Sequence, residues 1–431
     1  MKRVLFFLCI WMVIFPMQLS AQQADERIGE LINQTDWFTL EKEFPKVKEE
    51  LKIPIIRWLA ESLLGVFFNR PQEAISAIDT LLIRHQNDLG FDNISNMIIY
   101  QSNMFGETGE YTEAADRVNS FLDQVSVFTE KGNFPYHIAL AKYYDEVHNE
   151  KKPEIVRPGD KNTEIPMTIE KAGRGVLMFV PVTVNGKEYK FIFDTGAGST
   201  FLSQRIAKEL GVRIVRDSVL IKGVEQAYGQ SGVIDSMMIG DILFKNSIVT
   251  IAFPNTEIDT VYQVDAVLGA DFMRLVGEVN IYPQDGKIIF LVDKTPTPAT
   301  GRNMMLNDRI TYLETFSKNQ RLIMLFDTGN VRGDLSRPYY EKNQDYVNNN
   351  SRKDTIRSGG FGGVRSHEVL VLDSLPLQIG NTVFDIKHVA VNPGNVMFMQ
   401  TGEDGALGMD FVRTFRKITI SFDNMFTEVE L

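Results

Sequence analysis

Cysteine is almost missing from this chain: Cys9 is the only one in 431 residues, and it lies inside an apolar run near the start. A disulfide scaffold, a cysteine nucleophile and a thiolate zinc site are therefore excluded from the rest of the sequence. Histidine is scarce too. The five, at 85, 137, 148, 367 and 388, show no His-Glu-x-x-His spacing, so the pattern of a zinc hydrolase is absent and no metal or other cofactor is expected. No Gly-x-Ser-x-Gly elbow, Walker A loop or strand-following Gly-x-Gly-x-x-Gly occurs, and the glycine-rich stretch 359–363 lacks the lysine and helix that phosphate binding needs. Basic charge is in deficit, with 45 Lys and Arg against 56 Asp and Glu, a net charge of −11. That field repels polyanions, so nucleic acid is not an expected partner.

What the N-terminus does have is Lys2 and Arg3, an apolar run from Val4 to about Met17, and a small-residue stop at Ser20-Ala21. The run falls short of the roughly 18 to 20 residues that span a bilayer, and polar sequence follows at once. Residues 1–21 therefore read as a cleaved signal peptide, and the protein as exported, periplasmic or secreted, with no stable membrane span afterwards. Cleavage would take the net charge to −13.

From there the chain reads as multidomain, as its length suggests. Residues 25–150 carry apolar residues at helical spacing with few β-branched clusters. Two stretches share one design: a large-residue helix, a short turn, then a helix opening with Glu73-Ala74 or Glu113-Ala114, 40 residues apart. They resemble a short, degenerate tetratricopeptide-like array, though an unrelated helical bundle fits as well; the domain is a candidate to bind a protein partner. Residues 151–166, rich in Pro and charge, read as a linker. Beyond it, short β-branched and aromatic runs alternate with turn residues, the pattern of an all-β region. Asp293 to Asn303 divides this region into 167–292 and 303–431.

The two halves repeat each other. FIFDTGAGSTFLS, then DSMMIGDILF, then DAVLGADF in the first half correspond to IMLFDTGNVRGDLS, DSLPLQIGNTVF and DGALGMDF in the second. Asp194 matches Asp327, Gly240 matches Gly380 and Gly269 matches Gly408, at offsets of 133, 140 and 139. In each copy an acid ends a buried-strand pattern, where burial disfavours its charge unless something compensates. Gly196 and Gly329 permit close backbone approach of a second copy, so two facing copies would bring Asp194 and Asp327 together. Two carboxyls at that range cannot both ionise; they share a proton and titrate as a pair.

On the two Asp-Thr-Gly turns, at 194–196 and 327–329, and the later Val267-Leu268-Gly269 and Ala406-Leu407-Gly408, residues 170–431 resemble the aspartic protease superfamily, its retropepsin-like branch in particular. The resemblance implies an all-β bilobal retropepsin/pepsin-like fold after the helical domain, and an aspartic endopeptidase in which Asp194 and Asp327 activate a water against a peptide bond of a peptide or protein substrate. It implies that Thr195 and Thr328 cross-link the two turns. It also implies flaps over the substrate, for which Tyr228 in the stretch 221–235 and Phe361 among the second-half glycines are the candidates. Asn330, where the branch has a small residue, followed by Val331-Arg332, keeps two other readings open: a non-catalytic peptide-binding pseudoprotease, and a protease active only through its first half that self-associates.

Overall fold

A computed structural model describes residues 23–172, 175–222, 226–253, 265–360, 363–394 and 402–431. The expected signal peptide and Phe361 lie outside the described residues. The chain divides between Glu150 and Lys151 into a helical unit and a β-rich unit.

The helical unit opens with a helix over 23–33 and continues through Trp37–Val47, Pro54–Phe67, Pro71–Arg84, Phe91–Thr108, Tyr111–Val125 and Pro135–Val147, with the short Gln86–Leu89 between. Proline opens three of them at the position where its missing N–H costs nothing. Asp36 caps the helix that begins at Trp37, its carboxylate accepting from the Thr39 N–H at 3.1 Å and hydroxyl at 2.9 Å. The buried residues of Pro71–Arg84 are Ala74, Ala77, Ile78 and Leu81, a single stripe at helical period. Both sequence-predicted hairpins are present, and Ala74 and Ala114 are fully buried in them. Close packing explains why those positions are small. A Cβ on Gly65 would stand 2.7 Å from the Ala74 nitrogen and 2.8 Å from its Cβ, and the Ser102 hydroxyl donates to the Ala114 carbonyl at 2.6 Å.

In the β-rich unit the two halves build sheets of one topology. In the first, strand order is Glu154–Val156, Ile242–Ala252, Phe201–Ser203, Ala266–Leu268, Lys187–Phe193, Gly175–Val184, Gln226–Ile239, Arg213–Lys222, with Thr168–Ala172 paired to Gly175–Val184. In the second it runs Met304–Asn307, Ile310–Ser317, Gln320–Phe326, Gly405–Leu407, Asp334–Leu335, Thr382–Val391, Gly363–Ile379, Ser351–Gly360. Each half inserts its Gly-bearing strand between the strand that leads to Asp-Thr-Gly, to which it runs parallel, and a short strand, to which it runs antiparallel.

A third sheet takes strands from both halves, in the order Thr163–Pro166, Lys287–Phe290, Glu278–Tyr282, Lys417–Ser421, Phe426–Glu430. At its centre Asn280 pairs with Thr419, its own counterpart at the 139-residue offset, which puts the pseudo-twofold axis through this pair. The presumed linker is a correction: Glu154–Val156 and Thr163–Pro166 are edge strands of two sheets. Thr163 and Ile165 are buried while Glu164 and Pro166 face out, and such a strand tolerates proline because an edge N–H needs no partner.

Gly65→Val should lower the stability of the helical unit by at least about 2 kcal/mol, since the side chain meets backbone that cannot give way. Gly132→Ala, at a position with nothing within 4 Å, should stay within about 0.5 kcal/mol. Urea unfolding followed by circular dichroism at 222 nm separates the two.

Candidate active site

Strand Lys187–Phe193 carries its last residues, Phe191, Ile192 and Phe193, into the core, and the chain then turns at Asp194. The Asp194 N–H still donates to the Leu268 carbonyl at 3.0 Å, so the neighbouring strand holds the turn in place. Asp327 is held in the same way, by Leu407 at 3.0 Å. The two turns then interlock. The Thr195 hydroxyl donates to the Phe326 carbonyl at 2.7 Å and accepts from the Thr328 N–H at 3.1 Å. Reciprocally, the Thr328 hydroxyl donates to the Phe193 carbonyl at 2.6 Å and accepts from the Thr195 N–H at 3.0 Å. Both threonines are fully buried, which makes these bonds obligatory rather than optional.

This interlock sets each carboxyl against the opposite glycine. A Cβ on Gly196 would run into the Asp327 carboxyl, and one on Gly329 into that of Asp194. The six residues singled out in the two Asp-Thr-Gly turns are thus brought together. Asp194 Oδ1 accepts from the N–H groups of Gly196 at 2.8 Å, Ala197 at 3.2 Å and, across the axis, Gly329 at 3.2 Å.

Burial raises both carboxyls above the usual range, and Asp327 the further, because the charge of Asp194 and a hydrogen bond to it add to the effect. Asp194 is drawn back by its three backbone donors and by Asp327. The two carboxyls therefore titrate as a pair that cannot readily carry two charges. Asn330 keeps one backbone bond of the first turn. Its carbonyl accepts from Met409 at 2.8 Å, as that of Ala197 accepts from Ala270 at 2.7 Å.

Tyr228 stands on strand Gln226–Ile239 opposite Leu220, with 64% of its surface exposed. The tip of that hairpin, 223–225, lies outside the described residues, as does Phe361 at the other.

Two acids that sequence reasoning did not single out brace the turns. Asp271 accepts from the Thr200 N–H at 2.9 Å and hydroxyl at 3.0 Å, and Asp410 accepts from the Gly333 N–H at 2.9 Å. The signal was present, for both stand two residues after the Gly269 and Gly408 landmarks. Among the described residues no cluster of His, Cys, Asp and Glu has the arrangement of a metal site.

Residues 180–275 match the family described as gag-polyprotein putative aspartyl protease. This supports a retropepsin-like aspartic protease, and with it a hydrolase acting on peptides. The match spans the first Asp-Thr-Gly turn and its Gly269 strand; the second half is tied to it by common strand order and by the interlocked turns. A search of curated proteins found no match to the chain.

Thr195→Val should cost about 2 to 4 kcal/mol, because it orphans the Phe326 carbonyl and the Thr328 N–H, whereas Thr195→Ser should keep most of the stability. Urea midpoints measure both. A raised carboxyl binds more protons folded than unfolded, so its contribution is fully present below the ordinary carboxylate range and falls away as pH rises through the folded pKa. Asp327→Asn removes that loss. The variant should be more stable than the parent at neutral pH and lose the advantage near pH 3 to 4, as read from thermal unfolding across pH.

Proposed function

We propose that the chain is an aspartic endopeptidase whose two β halves form one bilobal, retropepsin-like catalytic unit with Asp194 and Asp327 as its dyad. The observation that carries this reading is the reciprocal lock between Thr195 and Thr328, with each glycine against the opposite carboxyl. An extended peptide would lie across the dyad, paired with strand edges through its backbone. Asp194, the ionised member, takes a proton from the attacking water. Asp327, the protonated one, donates to the carbonyl oxygen as charge develops there, and the leaving amine is protonated afterwards. The backbone donors on Asp194 keep it ionised and aimed without reorganisation during the reaction. No metal or covalent intermediate is required by this chemistry.

The hairpin bearing Tyr228 and the hairpin of Ser351–Gly360 with Gly363–Ile379 are the flaps of this reading, one from each half. The N-terminal residues direct export, to a periplasm or to the medium. The helical unit, a tetratricopeptide-like array, binds a protein partner. It is supported by two hairpins that share small packing residues 40 apart.

The test is cleavage of a denatured protein by the purified protein across pH 3 to 8. Asp194→Asn and Asp327→Asn should each lower kcat by at least about a thousandfold, as removal of one member of a coupled catalytic unit does. Loss at Asp194 alone points to a self-associating enzyme with one active half. No cleavage at any pH points to a peptide-binding module.

A further inference from the structure

In the second half the strands around Asp327 alternate between two faces. Phe326, Leu407, Leu335 and Val391 are fully buried in the core. The opposite face carries Leu325, Ala406, Asp334 and Ala390, register partners of one another, of which the two alanines are buried as well. Asp327 follows Phe326 and so belongs to that second face, the one on which a substrate would lie. Asp334 is thus a half-buried acid beside the dyad, two strands away from the one that leads to Asp327.

Its setting is unlike that of its counterpart. At the 133-residue offset of the two catalytic turns, Asp334 corresponds to Phe201, which pairs with Thr250 and Val267. Around Asp334 those neighbours shrink to Ala390 and Ala406. Asn392 donates to Asp334 Oδ2 at 2.7 Å and holds the side chain in place. Among the described residues no basic side chain pairs with it, although other acids of this half have such partners: Asp404 is bridged by Lys342 at 2.8 Å. Asp410 adds a second negative charge close by. Burial pushes the Asp334 carboxyl up to about 6, with Asp410 adding to the rise, so the group lacks a compensating cation.

We propose that Asp334 floors a substrate side-chain pocket on the second half's wall of the cleft, selective for lysine or arginine. The proposal rests on the protease reading above. Two strand spacings amount to about 10 Å, and an extended peptide advances about 3.4 Å per residue, so the basic residue falls two or three positions from the scissile bond. The first half, with Phe201 at the same place, offers an apolar pocket on the opposite side of the cut. Substrate preference would then be asymmetric although the halves share one fold.

The experiment is digestion of a random peptide library by the full chain, with products sequenced to give residue frequencies around the cut, for the parent, Asp334→Asn and Asp334→Leu. The parent should favour Lys or Arg over Leu by roughly 10- to 100-fold at one position, the range of a charge-assisted hydrogen bond. Asp334→Asn, which keeps the size and the Asn392 contact, should lose most of that preference. Asp334→Leu should turn it to apolar residues while still cleaving. Should Asp334→Leu fail to fold, Asp334→Asn decides alone. An unchanged frequency profile in Asp334→Asn overturns the proposal, as does a parent that cleaves with no basic preference, which leaves the protease reading standing. A parent that cleaves nothing overturns both.

Discussion

Four buried hydrogen bonds between Thr195, Thr328 and the residues before the two aspartates hold the halves of the β unit together. Their net worth is about 0.5 to 1.5 kcal/mol each. Two ionised carboxylates about 4 Å apart would repel by about 4 kcal/mol at an effective dielectric of 20, which is comparable with the whole network. The lock is therefore favoured when the carboxyls do not both ionise. One proton serves two purposes, since it removes a repulsion that would part the turns and supplies the acid for the proposed chemistry.

The rest of the β unit keeps that arrangement in register. Each aspartate N–H is pinned by the strand from the Gly269 or Gly408 region, and Asp271 and Asp410 brace the loops that follow. On the far side, the sheet built from both halves pairs Glu278–Tyr282 with Lys417–Ser421 about the Asn280–Thr419 pair. Buried Glu278 accepts from the Thr295 N–H at 2.9 Å and hydroxyl at 2.5 Å. Asn424 in turn donates to the Thr295 carbonyl at 2.8 Å, so the connecting segment is tied to both halves. Twofold relation is thus enforced at two separate places, which is what a dyad tolerant of little displacement requires.

Two departures from symmetry leave the lock in place. Asn330 replaces Ala197 with the carbonyl bond kept, and its side-chain oxygen accepts from the Arg332 N–H at 3.3 Å. Asp334 replaces Phe201 on the opposite face, while its neighbour Leu335 remains as buried as Leu202.

How much of this was legible beforehand follows from the physics of each feature. Helical period, β-branched runs and turn residues are local, so the helical region, the β-rich region and the duplication were readable from the residues, as were the two acids at constant offset. The reading of 151–166 as a linker missed two edge strands, because four-residue strands with proline carry little local signal and exist only through their partners. Asp271 and Asp410 were passed over because a helix-start acid looks ordinary until the loop it braces is seen. Asp334 could not be found by pattern, since its face, its alanine neighbours and its lack of a cation are properties of strands distant in sequence. The sequence by itself determined which residues recur and which carry charge. Only the tertiary structure decided which of them meet, because the proton held between Asp194 and Asp327 depends on a separation set by bonds spanning more than 130 residues.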